Sequence, residues 1–302
     1  MPNEENKIKQ VRVSQSVINF KPRVLSTWKL EDWEGIESKE PLLFFGLYND
    51  RDFDVFNTYQ GPKTVFWCGS DILFLMKDYE RRRILKNHPK TEHYCENDVE
   101  ARNLEKCGVK VKGVIPSFLD NTSNFPISFT PTQNPQIFVC GHPNRETEYG
   151  LEIIRNVARR VPEATFHIYG IDWSDNYFYK KHIPLADKLA SVDEECANIW
   201  YHGKVPEGEF NNHITKYHCG LRTNEHDGFS EVTAKSILMG QYPISRIPYD
   251  KIWSYNTEDE LVALIEKLKY MKEPNLEARS HYLKKFNNFP FLGKRKYYEP
   301  EY

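Results

Sequence analysis

The stretch His218–Ser245, HCGLRTNEHDGFSEVTAKSILMGQYPIS, decides the fold. It starts with a short apolar strand, which leads into a polar turn at Asp227-Gly228. A helix is predicted over Val232–Met239; it stops at Gly240, and a second strand follows. Strand, turn, helix and strand in this order predict a parallel sheet, with the turn at the carboxyl end of the first strand.

Strands and helices alternate through the rest of the second half. Three apolar runs, each followed by glycine, predict strands at 136–140, 165–169 and 199–202. Four apolar residues share one face of the helix predicted after the first of these strands: Leu151, Ile154, Ala158 and Val161. Thr257 and Glu260 predict a capping box before a later helix. Such alternation is typical of a parallel sheet covered by helices on both faces.

The first half repeats this pattern more weakly. Strands are predicted at 42–45, 64–67 and 110–115. Asn97 can cap a helix that has Glu100 at its third position, and Gly108 can end that helix. Residues 1–40 show no clear pattern.

The length of 302 residues favours two domains. A run rich in Pro, Ser, Thr and Asn at 120–135 is the best candidate for the linker. We therefore predict one domain over 1–125 and another over 134–283. The aromatic and basic stretch Tyr282–Tyr302 is predicted to contribute packing, with 284–302 returning to the first domain. The alternative is a surface patch for a polyanionic acceptor or a lipid headgroup, and thus a peripheral membrane contact.

Composition excludes several classes of protein. The chain carries 41 basic and 43 acidic residues, so its net charge of −2 does not indicate a nucleic-acid partner. No signal peptide and no apolar run long enough to span a bilayer is present, which predicts a soluble, cytoplasmic protein. The six cysteines are irregularly spaced and are expected to be reduced thiols, not disulfides or a zinc site.

The segment Thr223–Ser230, followed by a helix, Gly240 and Pro243, resembles the donor loop of retaining GT-B glycosyltransferases, the large family 4 or group 1. In that family an acid-Gly-Phe-Gly turn precedes a helix carrying a second acid. Val65–Asp71 is similar to the family's strand ending in His-Gly-x-Asp, and His93–Asp120 follows its next strand and helix. The resemblance covers roughly residues 60 to 250, and it rests on the order of the motifs.

Three positions depart from the family pattern. The second acid would fall at position 235, which is Lys235, and the histidine before Gly-x-Asp is Cys68. The Arg and Lys that usually hold the donor phosphates are replaced by His142 and Tyr149.

The resemblance implies a GT-B fold of two Rossmann-like domains whose parallel sheets face each other across a cleft. It also implies a hexosyl- or pentosyltransferase that moves a sugar, with retention, from a UDP- or GDP-sugar to a hydroxyl. The acceptor would be a glycan, a glycolipid or another hydroxyl compound, and no metal or cofactor would be required. Two alternatives stay open: a non-catalytic nucleotide- or sugar-binding protein of the same fold, and an inverting transferase.

The donor loop supplies most of the predicted site residues. By resemblance, the catalytic Asp227 would bind hydroxyls of the donor sugar and stabilise positive charge at its anomeric carbon. Gly228, Phe229 and Ser230 open a helix, where unpaired N–H groups suit phosphate or sugar oxygens; a plain turn and helix cap is the alternative. Lys235 would contact a phosphate, or would form a surface ion pair with Glu231.

Other cations are predicted to bind the donor. Arg222 ends a strand and suits phosphate oxygens, with a structural ion pair as the alternative, and His226 is either a donor contact or a surface loop residue. His142 and Arg145 could replace the missing phosphate ligands; the alternative for both is a solvent-exposed loop residue. Lys204 lies in the Gly-containing loop that, by resemblance, lines the nucleotide pocket.

Two further features are assigned in the first half. Gly69 and Asp71 would face the acceptor, although Asp71 could simply cap the next helix. Asp50-Arg51-Asp52 is a D-x-D triplet of a kind that binds metal in another glycosyltransferase fold. Its polar surroundings predict a loop, and we expect no metal there.

Overall fold

The structure is a computed structural model that describes residues 8–142, 145–171, 191–193, 196–286 and 288–292. The chain divides into two compact units. The first comprises Met1–Asn121, His226–Phe229 and Lys284–Tyr302. The second comprises Thr122–Glu225 and Ser230–Leu283.

The first unit is built on a six-stranded parallel sheet with the order β2-β1-β3-β4-β5-β6. Its strands are β1 (Gln10–Val13), β2 (Glu31–Asp32), β3 (Leu42–Phe45), β4 (Lys63–Phe66), β5 (Glu92–Cys95) and β6 (Val111–Val114). Its helices are α1 (Lys21–Trp28), α2 (Asp50–Thr58), α3 (Ser70–Lys77), α4 (Tyr79–Lys86) and α5 (Asp98–Lys106). The predicted start of α5 is confirmed, because the Asn97 side chain accepts a hydrogen bond from the Glu100 N–H at 2.9 Å.

The first forty residues contain structure that the sequence pattern did not reveal. Strand β1 is buried along its whole length although it includes Arg12. That guanidinium reaches the carboxylate of Asp52 at 2.7 Å, and the Ser14 hydroxyl donates to the same carboxylate at 2.6 Å. The loop predicted for the D-x-D triplet is therefore wrong: Asn49 caps helix α2 there, and Asp52 faces inward to anchor β1.

Two apolar layers cover the faces of the first sheet. In one of them Trp28 lies at the centre of a cluster of aromatic rings. Its ring centroid is 4.9 Å from that of Phe289 and 5.7 Å from that of Phe291, so the described part of the C-terminal segment belongs to this core. The predicted packing role of 293–302 lies outside the described residues.

The second unit has seven strands in the order β13-β12-β11-β7-β8-β10-β9, with β9 antiparallel to β10 and the other pairs parallel. The strands are β7 (Gln136–Cys140), β8 (Thr165–Tyr169), β9 (Ser191–Val192), β10 (Ile199–Gly203), β11 (Cys219–Arg222), β12 (Ile244–Ser245) and β13 (Trp253–Ser254). The helices are α6 (Leu151–Arg160), α7 (Glu207–Ile214), α8 (Glu231–Leu238), α9 (Glu258–Leu268) and α10 (Leu276–Phe286).

The predicted alternation in the second half is confirmed. The apolar face of α6 is buried together with residues of α9 and of the central strands. Thr257 and Glu260 form the expected capping box at the start of α9. Helix α8 lies against β11 at Gly220, where a Cβ atom would come within 2.8 Å of the Val232 carbonyl oxygen. Each unit is thus an α/β layer around a largely parallel sheet, and no helix in the described ranges is long and apolar enough to cross a bilayer.

Candidate functional site

The loop between β11 and α8 carries most of the predicted site residues, and its central part, His226–Phe229, belongs to the first unit. Two side chains of that unit hold its backbone through three hydrogen bonds. The Asn97 side-chain amide donates to the carbonyl oxygens of Asp227 at 2.9 Å and Gly228 at 3.2 Å. The Phe229 N–H donates to Oε2 of Glu96 at 3.0 Å.

Two glycines allow this close approach. A Cβ atom on Gly228 would lie 1.8 Å from Oε2 of Glu96, so no other residue fits that position without moving the carboxyl group. Gly69 has φ of +106°, which favours glycine, and a Cβ atom there would lie 3.0 Å from the Gly228 nitrogen. The Gly69 carbonyl oxygen also accepts a hydrogen bond from Nε2 of His226 at 2.8 Å. The structure thus brings the predicted residues Gly69, His226 and Gly228 together.

Asp227 is half-buried, and its Oδ1 accepts a hydrogen bond from the Gly228 N–H at 3.1 Å. Of the backbone N–H groups proposed for phosphate or sugar, that of Gly228 is engaged by Asp227 and that of Phe229 by Glu96. Ser230 stands at the N-cap position of α8, where its hydroxyl makes no capping hydrogen bond. A ligand that uses the Phe229 N–H must therefore replace the Glu96 carboxyl.

Three buried carboxyl groups lie behind this turn. Burial raises the pKa of Asp71 to about 7, although hydrogen bonds from backbone N–H groups oppose the shift. Burial also raises the pKa of Glu96 and of Glu100, and the proximity of their carboxyl groups to each other and to Asp227 raises that of Glu100 further. Asp227 is half-buried and is therefore the least buried of these four carboxyl groups.

Asp71 holds the backbone where β4 turns into α3. Its carboxylate accepts hydrogen bonds from the N–H groups of Leu47 at 3.2 Å, Cys68 at 3.2 Å and Ile72 at 3.0 Å. Asp71 is fully buried and lies inside α3, whose N-cap is Gly69 without a side-chain capping bond, so the alternative that Asp71 caps this helix is wrong; its role towards an acceptor stays a prediction.

In the second unit, three predicted cations lie around Tyr149. The Arg222 guanidinium lies 4.9 Å from the centre of its ring, and the Arg145 guanidinium lies 5.8 Å from it. The His142 ring stacks near Tyr149 at a centroid distance of 6.3 Å. Thr223 bonds the Tyr149 carbonyl oxygen, which ties this aromatic residue to the end of β11. Arg145 also pairs with Glu148 at the surface.

Lys235 is built into the second unit by specific partners. Only 2% of the residue is exposed, and its ammonium group lies 3.0 Å from Oε1 of Glu207 and 2.9 Å from Oδ1 of Asn211, both on α7. It also lies 5.2 Å from the centre of the Phe210 ring. The predicted surface ion pair with Glu231 is wrong, because the side of α8 that carries Lys235 is turned inward. Lys204 is exposed, and no described contact joins it to the residues around Tyr149.

Four residues that lie around the Asp227 turn or among the side chains near Arg222 were not predicted as site residues: Glu96, Asn97, Glu100 and Tyr149. Glu96 and Asn97 follow β5 directly, at the carboxyl end where parallel sheets bind ligands, and that position was the available signal. Asn97 and Glu100 were predicted only as a helix cap. Tyr149 was seen only as a departure from the family pattern.

No protein-family model matches the chain, and no curated protein sequence matches it. Solved structures match it in fold. Sucrose-phosphate synthase from Thermosynechococcus elongatus matches with a TM-score of 0.57 and 11% identity, over 82% of this chain and 69% of that chain. The apo form of the lipopolysaccharide outer core galactosyltransferase WaaB matches with a TM-score of 0.55 and 14% identity, over 92% of this chain and 79% of that one.

A third match is HepE from Anabaena in complex with UDP and glucose, with a TM-score of 0.55 and 10% identity, over 81% of this chain and 73% of that chain. Two other matched structures, both of TarM, are longer, and this chain spans about half their length, 52% in each case. With two Rossmann-like, largely parallel α/β units, the chain has the GT-B fold of these glycosyltransferases, as the resemblance implied.

Proposed function

We propose that this chain is a glycosyltransferase that moves a sugar from a nucleotide-sugar donor, a UDP- or GDP-sugar, to the hydroxyl of an acceptor. The observation that carries the proposal is the turn at Asp227, whose backbone is bonded by Asn97 and Glu96 and whose half-buried carboxylate accepts a hydrogen bond from the Gly228 N–H. A rigid turn that presents one carboxylate suits a group that must meet developing charge at a defined point.

In the proposed reaction, Asp227 accepts hydrogen bonds from donor-sugar hydroxyls and stabilises positive charge at the anomeric carbon. The bond from that carbon to the phosphate oxygen breaks, and a bond to the acceptor oxygen forms on the same face. The proton of the acceptor hydroxyl passes to the departing phosphate. The chain then needs no separate base, and the anomeric configuration is retained.

The second unit would hold the nucleotide, and the first would hold the acceptor. Arg222 and Arg145 supply positive charge for the diphosphate, His142 adds a ring N–H, and all three side chains lie against Tyr149. This charge lets the proposed transfer proceed without a metal ion. Lys235 contributes through α7, whose position it fixes, and Lys204 lies in the loop before that helix. The UDP and glucose in the HepE complex support the donor class.

A donor screen tests the proposal. The full chain is incubated with UDP- and GDP-sugars and a panel of glycan and glycolipid acceptors, and released nucleotide and calorimetric binding are both measured. Binding of one nucleotide sugar with acceptor-dependent release of its nucleotide is expected. Absence of binding to every nucleotide and nucleotide sugar would contradict the proposal, and an inverted product anomer by NMR would remove retention from it.

A non-catalytic binding protein is the second candidate. It is favoured by one specific observation: Glu96 occupies the Phe229 N–H, and Asp227 occupies the Gly228 N–H. A shell that only binds nucleotide sugars would give saturable donor binding with neither transfer nor donor hydrolysis across the acceptor panel.

A further inference from the structure

A cavity of about 570 Å³ lies in the first unit, on the side of the sheet where β5 begins. The Asp227 turn lies against residues that follow the other end of this strand, so the cavity is separate from the candidate site. Its volume is typical of pockets that bind small molecules.

The cavity is lined by cations without matching acids. The described residues that line it include no Asp or Glu. They include five Lys and Arg side chains: Arg82, Arg83, Lys86, Lys106 and Lys110. The whole chain has slightly more acidic than basic residues, 43 against 41, so this lining departs from the general surface.

Two of these cations already have partners. Arg82 donates to the carbonyl oxygens of Leu75 and Met76 and so caps the end of α3. Arg83 pairs with Glu80 on its own helix. The remaining positive charge at the cavity comes from three exposed lysines.

Lys86, Lys106 and Lys110 make no hydrogen bond or ion pair with any described residue. Lys86 and Lys106 end α4 and α5, where the helix dipole favours cations. Lys110 lies outside any helix, in the segment before β6, so the dipole does not account for its position. Lysines from three separate segments therefore converge on one space.

A buried histidine faces the same space. His93 is 6% exposed, and its Nδ1 accepts a hydrogen bond from the Trp67 indole N–H at 3.3 Å. Because indole can only donate, the proton of the neutral imidazole lies on Nε2. Burial lowers the pKa of His93 to about 4, which keeps this tautomer neutral at physiological pH. Nε2–H has no partner among the described residues, and His93 lines the cavity.

We propose that this cavity binds a small phosphate-bearing molecule. Three ammonium groups supply charge for a phosphate, and the His93 N–H adds one directed donor. Apolar surface for the organic part of the ligand comes from Leu85, Val109 and the ring of Tyr79. A bare ion would leave most of the cavity unfilled. The proposal does not depend on the glycosyltransferase activity.

Calorimetry with glucose 6-phosphate and inorganic phosphate tests this site in the full chain, with glucose as the neutral probe. The variant Lys106→Gln/Lys110→Gln is compared with Lys39→Gln/Lys77→Gln, which removes the same charge from exposed positions of the same unit outside the cavity. We expect saturable binding of glucose 6-phosphate that weakens at least about tenfold in the first variant, since two charge-assisted contacts are lost. Binding in the second variant should stay within about twofold of wild type.

A chemical shift change of the His93 imidazole on adding glucose 6-phosphate is expected in NMR spectra of the wild type. No saturation up to about 10 mM, an equal loss in both variants, equally tight binding of glucose, or an unmoved His93 signal would each overturn the proposal. Saturating uridine, which carries no phosphate, should not displace glucose 6-phosphate; displacement would place glucose 6-phosphate in a nucleoside site and overturn the proposal.

Discussion

Asp227 and Lys235 stand at the two positions where the family that the sequence resembles carries acids. The surroundings of these two residues differ. At Asp227 the neighbours hold the backbone of the turn, and the half-buried carboxylate accepts a hydrogen bond from the Gly228 N–H. At Lys235 the neighbours bond the side chain itself and bury it almost completely. In the proposed function the first arrangement presents a charged group to the donor sugar, whereas the second uses a charged group to fix α7 against α8.

The largest stability effect should come from the partner of Lys235. Glu207 is half-exposed and water can solvate it alone, but Lys235 is buried and needs it. Glu207→Ala should therefore lower the free energy of unfolding by about 3 kcal/mol, the cost typical of a buried charge that loses its partner. Lys235→Met should cost only about 1 kcal/mol, because it removes the buried charge itself. Urea denaturation of both variants measures this asymmetry, and equal losses would show that Lys235 is not the buried partner.

The next effect concerns the turn. Gly228→Ala would place a Cβ atom 1.8 Å from Oε2 of Glu96, so the turn or the carboxyl group must shift. We expect a loss of about 2 kcal/mol, as for overpacking in a core, together with loss of the proposed transfer. Gly208→Ala is the matched control, because a Cβ atom there meets nothing within 4 Å and alanine suits the helix. Thermal unfolding that ranks the two variants alike would contradict the close packing at Gly228.

At pH 5, the smallest change in the free energy of unfolding is expected for Glu100→Gln, and this change grows with pH. The pKa of Glu100 is raised in the folded state, so its stabilising contribution is present below the ordinary pKa of 4.5 and is lost as pH rises towards the raised value. Glu100→Gln does not titrate, so its stability relative to wild type should increase with pH by up to about 1.4 kcal/mol per pH unit. Denaturation between pH 5 and pH 9 measures the difference, with exposed Glu105→Gln as the flat control. A difference that falls with pH would show that Glu100 is ionised in the fold.

The sequence predicted the elements that depend on local pattern. Apolar runs ending at glycine and the capping residues Asn97 and Thr257 located strands and helices within a few residues. Strand β1 was missed because it contains Arg12, and a charged residue is not expected in a buried strand. Arg12 is buried there because it pairs with Asp52. That pair joins residues forty positions apart, and no local pattern contains it.

The residues of the candidate site likewise divide into those that the sequence predicted and those that it missed. Asp227 and Gly228 were predicted from the order of motifs along the chain, and Arg222 from its charge at the end of a strand. Glu96 was missed because its importance depends on burial against a loop that is remote in sequence. The inward direction of Lys235 likewise depends on α7, which supplies both of its polar partners.

The most direct test of the central claim compares donor binding with transfer in Asp227→Asn. The amide keeps the shape of the side chain and removes its charge, and Glu225→Gln, the exposed neighbour in the same loop, is the control. With the nucleotide sugar identified by the donor screen, we predict that kcat falls at least about 100-fold while donor Kd changes less than about fivefold, because the charge acts mainly on the transition state. Full turnover in Asp227→Asn, or an equal loss in Glu225→Gln, would contradict the assignment of Asp227 as the catalytic carboxylate.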